Sequence, residues 1–139
     1  MIHNVLPTEA RLARILPNSS EFCKFCPNQV FADLPHCLLE CVLTKEVGDW
    51  ILSLIGQHDS TVNANKLPRL DFCCDASLEF PLVWLTAHTL CHSWNSRKKS
   101  QRSNLEMTRA MLEHKITLLR ETRFKNVCGP IEALINHVN

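Results

Sequence analysis

A cluster of cysteine and histidine residues near the start of the 139-residue chain constrains its fold most strongly. The cluster follows the pattern C-x2-C-x9-H-x4-C and comprises Cys23, Cys26, His36 and Cys41. Structural zinc sites take four Cys or His ligands in a tetrahedron. A Cys-x2-Cys pair presents two thiolates on one tight turn, which Pro27 and Asn28 favour. The spacing therefore predicts a zinc-binding loop with these four ligands.

The spacing does not decide whether His36 or Cys37 is the third ligand. On an α-helix Cys37 and Cys41 share a face, whereas His36 and Cys41, five residues apart, do not. If a helix has begun at residue 36, Cys37 replaces His36 as the third ligand. Pro35 favours a helix start after His36, so we expect His36 to bind the metal. The alternatives to metal binding are a group of buried, inert cysteines and a redox-active Cys-x2-Cys pair.

The compartment follows from the cysteine count and the N-terminal sequence. The chain has 8 cysteines. Its first residues, MIHNVLPTEARLARIL, lack the charged n-region and apolar h-region of a secretory signal. We therefore expect an intracellular protein, nuclear or cytoplasmic, whose cysteines are reduced. Apolar runs are far shorter than the roughly 20 residues of a membrane-spanning helix, so no membrane partner is expected.

Hydrophobic periodicity predicts a mainly α protein, with four to five helices and an N-terminal zinc-knuckle loop. We expect a single domain over 1–139, divided into the loop with its helix (17–56) and a helical pair (76–125). Ser103 with Glu106 matches a helix-capping box, and Gly129-Pro130 is expected to break the chain before the last helix. The expected helices cover residues 7–16, 36–57, 76–97, 103–125 and 131–138.

Charge is unevenly distributed along the chain. Residues 97–125 contain nine Lys/Arg and three Asp/Glu, a net +6, whereas residues 1–96 have a net −4. A tight basic group could neutralise phosphates, or could simply be a solvated helix junction. Phe22 and Phe25 flank the cysteines and could stack on bases, or could pack on the helices. The basic group comprises Arg97, Lys98, Lys99 and Arg102.

These motifs resemble a known family. The run EFCKFCPNQVFADLPHCLLECVLTKEVGDWI resembles the zinc-binding segment that follows the polymerase domain of non-LTR retrotransposon reverse transcriptases. The runs RLARIL, FPLVWLTAHTLCHSWNSRKK and RAMLEHKITLLRETRFK resemble the helices around that segment, more loosely. The resemblance implies binding of RNA or DNA through the Zn²⁺ loop and the basic segment.

The chain departs from that family in its catalytic residues. It has no tyrosine, no adjacent pair of aspartates and no glycine-rich phosphate loop. We therefore expect no enzyme activity and no small-molecule substrate. Two alternatives remain open: a helical protein-interaction or structural module in which zinc is only structural, and a retroelement remnant without function.

Overall fold

The computed structural model describes residues 6–137, and the backbone of that range is mainly helical, as predicted. Five α-helices are connected by loops, several of which contain short turns of 3₁₀ or π geometry. The only strand-like pairing among these residues is an isolated antiparallel bridge between Phe22 and Phe31. The α-helices are α1 (Glu9–Ile15), α2 (Lys45–Gly56), α3 (Glu79–Lys98), α4 (Leu105–Leu119) and α5 (Cys128–His137).

Most of the buried apolar side chains form one core between α2, α3, α4 and α5. Fully buried members include Ile51, Leu85, Leu112 and Ile131, one from each helix. Burial of such side chains contributes about 1.5–3 kcal/mol each, so this core is the main source of stability for the helices. No helix within the described range is both long and apolar enough to cross a membrane.

The predicted helix over 36–57 is wrong as one element. A five-residue π-helical turn (His36–Glu40) is followed by extended backbone at Cys41, and α2 begins only at Lys45. Gly48 lies where α2 meets the π turn, and a Cβ at this position would lie 2.5 Å from the Leu39 carbonyl oxygen. Glycine is therefore needed for close packing of α2 on the turn.

Other helix boundaries also differ from the prediction, and α4 ends at Leu119 rather than near Lys125. Asn104, not Ser103, caps α4: its side chain accepts a hydrogen bond from the Met107 amide at 2.8 Å. The Ser103 amide and hydroxyl instead donate to the Leu43 carbonyl, which ties the start of α4 to the cysteine-rich loop.

The last helix begins at Cys128, so Gly129-Pro130 does not break the chain before it. Both residues lie in the first turn of this helix. Backbone amides there have no acceptor within the helix, so proline removes no helical hydrogen bond. The predicted end of this helix at Val138 lies outside the described residues. The predicted start at Ala76 is a 3₁₀ turn (Ala76–Leu78) that leads directly into α3.

Candidate metal centre

The four predicted ligands converge on one point. Their ligand atoms all lie within 4.8 Å of one another, and no other group of three or more candidate ligands is found among the described residues. The Sγ atoms of Cys23 and Cys41 are 3.7 Å apart, and those of Cys26 and Cys41 are 3.8 Å apart. The distance between Cys26 Sγ and His36 Nε2 is 3.5 Å.

These distances match a tetrahedral metal site. With Zn–S of about 2.3 Å and Zn–N of about 2.0–2.1 Å, a regular tetrahedron places two sulfurs about 3.8 Å apart and sulfur and nitrogen about 3.6 Å apart. A disulfide would require about 2.05 Å between sulfurs, and all the cysteines are free. The spacing of the four atoms therefore fits a central metal ion.

A hairpin presents the first two ligands. The Cys23 amide donates to the Val30 carbonyl and the Ala32 amide to the Glu21 carbonyl, which closes the hairpin on both sides. Its reversal uses positive φ angles at Asn28 (71°) and Gln29 (50°), and asparagine adopts this left-handed region more readily than most residues. The amides of Phe25 and Val42 donate to Cys23 Sγ and Cys26 Sγ, at 3.4 and 3.2 Å.

The π turn brings His36 to the same point as Cys41. The Cys41 amide donates to the His36 carbonyl at 2.7 Å, a bond between residues five apart. In an α-helix residues with this separation do not share a face, but a π turn closes after five residues. The expectation that a helix starting at residue 36 would substitute Cys37 for His36 fails for this reason. Cys37 Sγ instead points to the Ala32 carbonyl at 3.7 Å.

Electrostatics at the cluster also favour a bound cation. Burial opposes ionisation of Cys41, but hydrogen bonds from His36, the Leu43 amide and Arg97 lower its pKa to about 6. Burial and the neighbouring cysteines raise the pKa of Cys26 to about 11, because sulfurs in contact cannot all carry negative charge. A central dication removes this conflict, since it stabilises all three thiolates. Cys37, outside the cluster, has its pKa raised by burial to about 12.

Arg97 lies beside the cluster rather than on the surface. Its side chain is buried, at 3% exposure. Its Nε donates to Cys41 Sγ at 3.4 Å and its Nη2 to Cys23 Sγ at 3.3 Å. The same guanidinium forms a two-pronged ion pair with Glu9 of α1. The prediction that Arg97 neutralises phosphates together with Lys98, Lys99 and Arg102 is therefore wrong, because its side chain is buried and its three nitrogens donate to two sulfurs and a carboxylate.

The other predicted binding residues occupy different environments. Lys98, Lys99 and Arg102 are exposed, as a phosphate-binding group requires. Phe22 is 36% exposed on the hairpin. Phe25 is half-buried against the cysteine cluster, with the Arg97 guanidinium 5.0 Å from its ring centroid.

Sequence reasoning missed three features of this site: the π turn, the position of Arg97, and the pairing of Phe22 with Phe31. Arg97 is 56 residues from Cys41 and 74 from Cys23, so no local pattern relates them. No protein-family model, curated protein or solved structure matches the chain. The fold and the cluster together define a small helical protein with a Cys3His site that could hold a metal ion.

Proposed function

We propose that the chain is a zinc-containing nucleic-acid-binding module, similar to the C-terminal region of a retroelement reverse transcriptase and without polymerase activity. Zinc is the metal that this ligand set favours, since thiolates and imidazole in a closed tetrahedron select it over harder ions. Three thiolates around a dication leave one excess negative charge, and Arg97, which also pairs with Glu9, donates hydrogen bonds to two of the three sulfurs. The ion would then act structurally, by fixing the loop.

The observation that carries the proposal is a groove beside the metal cluster. Phe25, Trp94, Lys24 and Lys98 line it together with apolar residues around α1 and with Glu9, which pairs with Arg97, and its volume is about 370 Å³. Lys24 Nζ lies 5.2 Å from the centroid of the Phe25 ring. Aromatic side chains next to unneutralised cations are the surface that single-stranded nucleic acids require. Lys99 and Arg102 extend the positive charge past the end of α3.

Oligonucleotide titration at several salt concentrations tests this function. The wild-type protein, loaded with zinc, is titrated with short single-stranded RNA and DNA and with a duplex. Binding should weaken as salt rises, with a slope of about 0.7 in log K per log[salt] for each phosphate bound on a single strand. The double variant Lys98→Gln/Lys99→Gln should bind more weakly and show a smaller slope.

A charge-matched control separates this local effect from a change in net charge. Arg123 and Lys125 are exposed and lie beyond the end of α4. The 15 residues of α4 span about 22 Å, and Lys98 lies near the opposite end of that helix, its start. Arg123→Gln/Lys125→Gln should leave the binding unchanged. If zinc-loaded wild type binds no oligonucleotide at low salt, the alternative holds: a helical module in which zinc only organises the loop.

A further inference from the structure

We infer that a second nucleic-acid-binding surface lies on the opposite side of α1, formed by Arg11, Arg14 and Phe31, with Phe22 beside it. This inference rests on the proposed function. The ligand of that surface is an unpaired, single-stranded segment of nucleic acid. The structure brings Arg11, Arg14 and Phe31 together in a groove of about 370 Å³ between α1 and the hairpin.

The hairpin places two phenylalanines directly opposite each other on its two strands. Hydrogen bonds from Cys23 to Val30 and from Ala32 to Glu21 flank the bridge, so Phe22 and Phe31 form a non-hydrogen-bonded antiparallel pair. Side chains of such a pair leave the backbone on the same face, with Cβ atoms about 4.5–5.5 Å apart. Both nevertheless stay exposed, Phe22 at 36% and Phe31 at 45%. Unlike Phe25, neither ring packs into a hydrophobic cluster.

Two arginines of α1 border this pair. Arg11 and Arg14 are exposed, and neither forms an ion pair with any residue of 6–137. The groove also contains the carboxylate of Asp33, whose Oδ1 accepts the His36 amide at 3.0 Å. The groove therefore keeps a net positive charge.

This combination selects a nucleotide strand over other partners. A guanidinium binds phosphate through two parallel hydrogen bonds, and an exposed ring stacks on any base. In a duplex the bases are already stacked on one another, so the rings could not reach their faces. The hairpin carries two of the four clustered candidate ligands, and Glu9 pairs α1 with Arg97, so both sides of the groove are tied to the same cluster.

The test uses the full-length, zinc-loaded protein and short mixed-sequence single-stranded RNA and DNA. Phe31→Ala should weaken binding at least about fivefold, the equivalent of removing one base from its stack on an aromatic ring. Phe31→Trp should preserve affinity, and its additional indole fluorescence should be quenched when the strand binds. Arg11→Gln/Arg14→Gln should weaken binding and lower the salt slope by about 0.7 for each phosphate that is no longer bound.

The controls keep this result separate from misfolding and from the first groove. All these side chains are exposed, so each variant should keep the zinc content and unfolding midpoint of wild type. Arg123→Gln/Lys125→Gln removes the same amount of charge at a distant site. If Lys98→Gln/Lys99→Gln weakens binding while Phe31→Ala and Arg11→Gln/Arg14→Gln do not, this inference is overturned and the proposed function stands.

Two further outcomes also overturn the inference. Failure of the wild-type protein to bind any strand removes the proposed function together with this site. Equal binding of duplex and single strand, unaffected by Phe31→Ala, would show that the interaction is electrostatic only. Ile15 at the end of α1 and Leu16 after it are 65% and 48% exposed. Because exposed apolar side chains suit a protein partner, binding of such a partner would be tested next.

Discussion

The cysteine-rich loop and the helical core are stabilised by different kinds of interaction. In the loop, the buried cluster consists of Cys23, Ala32, Cys37 and Cys41, side chains too small to exclude much water. In the helical part, 18 buried residues drawn mainly from α2–α5 form a continuous apolar core. The hairpin, residues 21–32, has little apolar burial and needs specific ligand chemistry to hold its conformation, whereas the π turn packs Leu38 and Leu39 into the helical core. Removal of the ligand chemistry should therefore affect one region far more than the other.

The largest expected effect is loss of the metal. Structural zinc contributes about 10–16 kcal/mol in zinc-finger peptides at neutral pH, and the hairpin has little else to replace it. Purified wild type should contain about one zinc per chain, and Cys23→Ser/Cys26→Ser should contain none. By hydrogen exchange, amides of residues 21–32 should lose protection in that variant, while those of α3 and α4 should keep it.

The matched control for this experiment is Cys73→Ser/Cys74→Ser, which changes two cysteines outside the cluster and should leave the zinc content unchanged. Uniform loss of protection along the chain would show that the two regions are one cooperative unit. Absence of metal from folded wild-type protein would contradict the metal centre itself.

Replacement of Arg97 tests the connection between the two regions. Arg97→Met removes the donors to Cys23 and Cys41 and leaves Glu9 without its partner. Breaking a buried ion pair in this way costs about 3–5 kcal/mol. Zinc affinity, measured by competition with a chromophoric chelator, should fall about 10–100-fold, as is usual when a residue that hydrogen-bonds to metal ligands is removed.

Two companion variants show whether this effect is specific. Glu9→Gln combined with Arg97→Met should recover part of the missing stability, because no unpaired carboxylate remains. Lys98→Met changes the exposed neighbour and should alter neither stability nor zinc affinity. Equal zinc affinity in Arg97→Met and wild type would contradict the role of Arg97 at the metal centre.

Leu85→Ala tests the helical core on its own. Leu85 is fully buried, and truncation of such a residue costs about 2–5 kcal/mol through reduced burial and the cavity that remains. Urea unfolding followed by circular dichroism should show this destabilisation, while the zinc content stays that of wild type. A Leu85→Ala protein that folds but binds no zinc would mean that the loop depends on the core for its ligand geometry.

The sequence predicted well the features that depend on local patterns. Hydrophobic periodicity predicted the helical class, and the spacing of Cys23, Cys26, His36 and Cys41 predicted the residues that converge. Both signals are local: helical periodicity repeats every few residues, and a Cys-x2-Cys turn is a single loop.

Features that depend on residues distant in sequence were not predictable in this way. Arg97 has the same sequence environment as Lys98 and Lys99, and only the packing of α3 against the loop decides which of the three is buried. No residue type in the sequence marks the π turn at His36. Its geometry becomes visible only when His36 and Cys41 are seen to meet at the cluster. Phe31 was missed because its pairing with Phe22 requires the hairpin reversal at Asn28.

The smallest expected effect concerns the start of α4, where sequence and structure select different capping residues. Asn104→Ala removes the acceptor for the Met107 amide and should cost about 1 kcal/mol in urea unfolding. Asn104→Asp should retain the stability, since aspartate caps as well as asparagine does. Glu106→Gln tests the predicted capping box: the Ser103 amide already donates to Leu43, so Glu106 has no capping bond to supply there. A larger destabilisation by Glu106→Gln than by Asn104→Ala would indicate that Ser103 and Glu106 form the capping box predicted from the sequence.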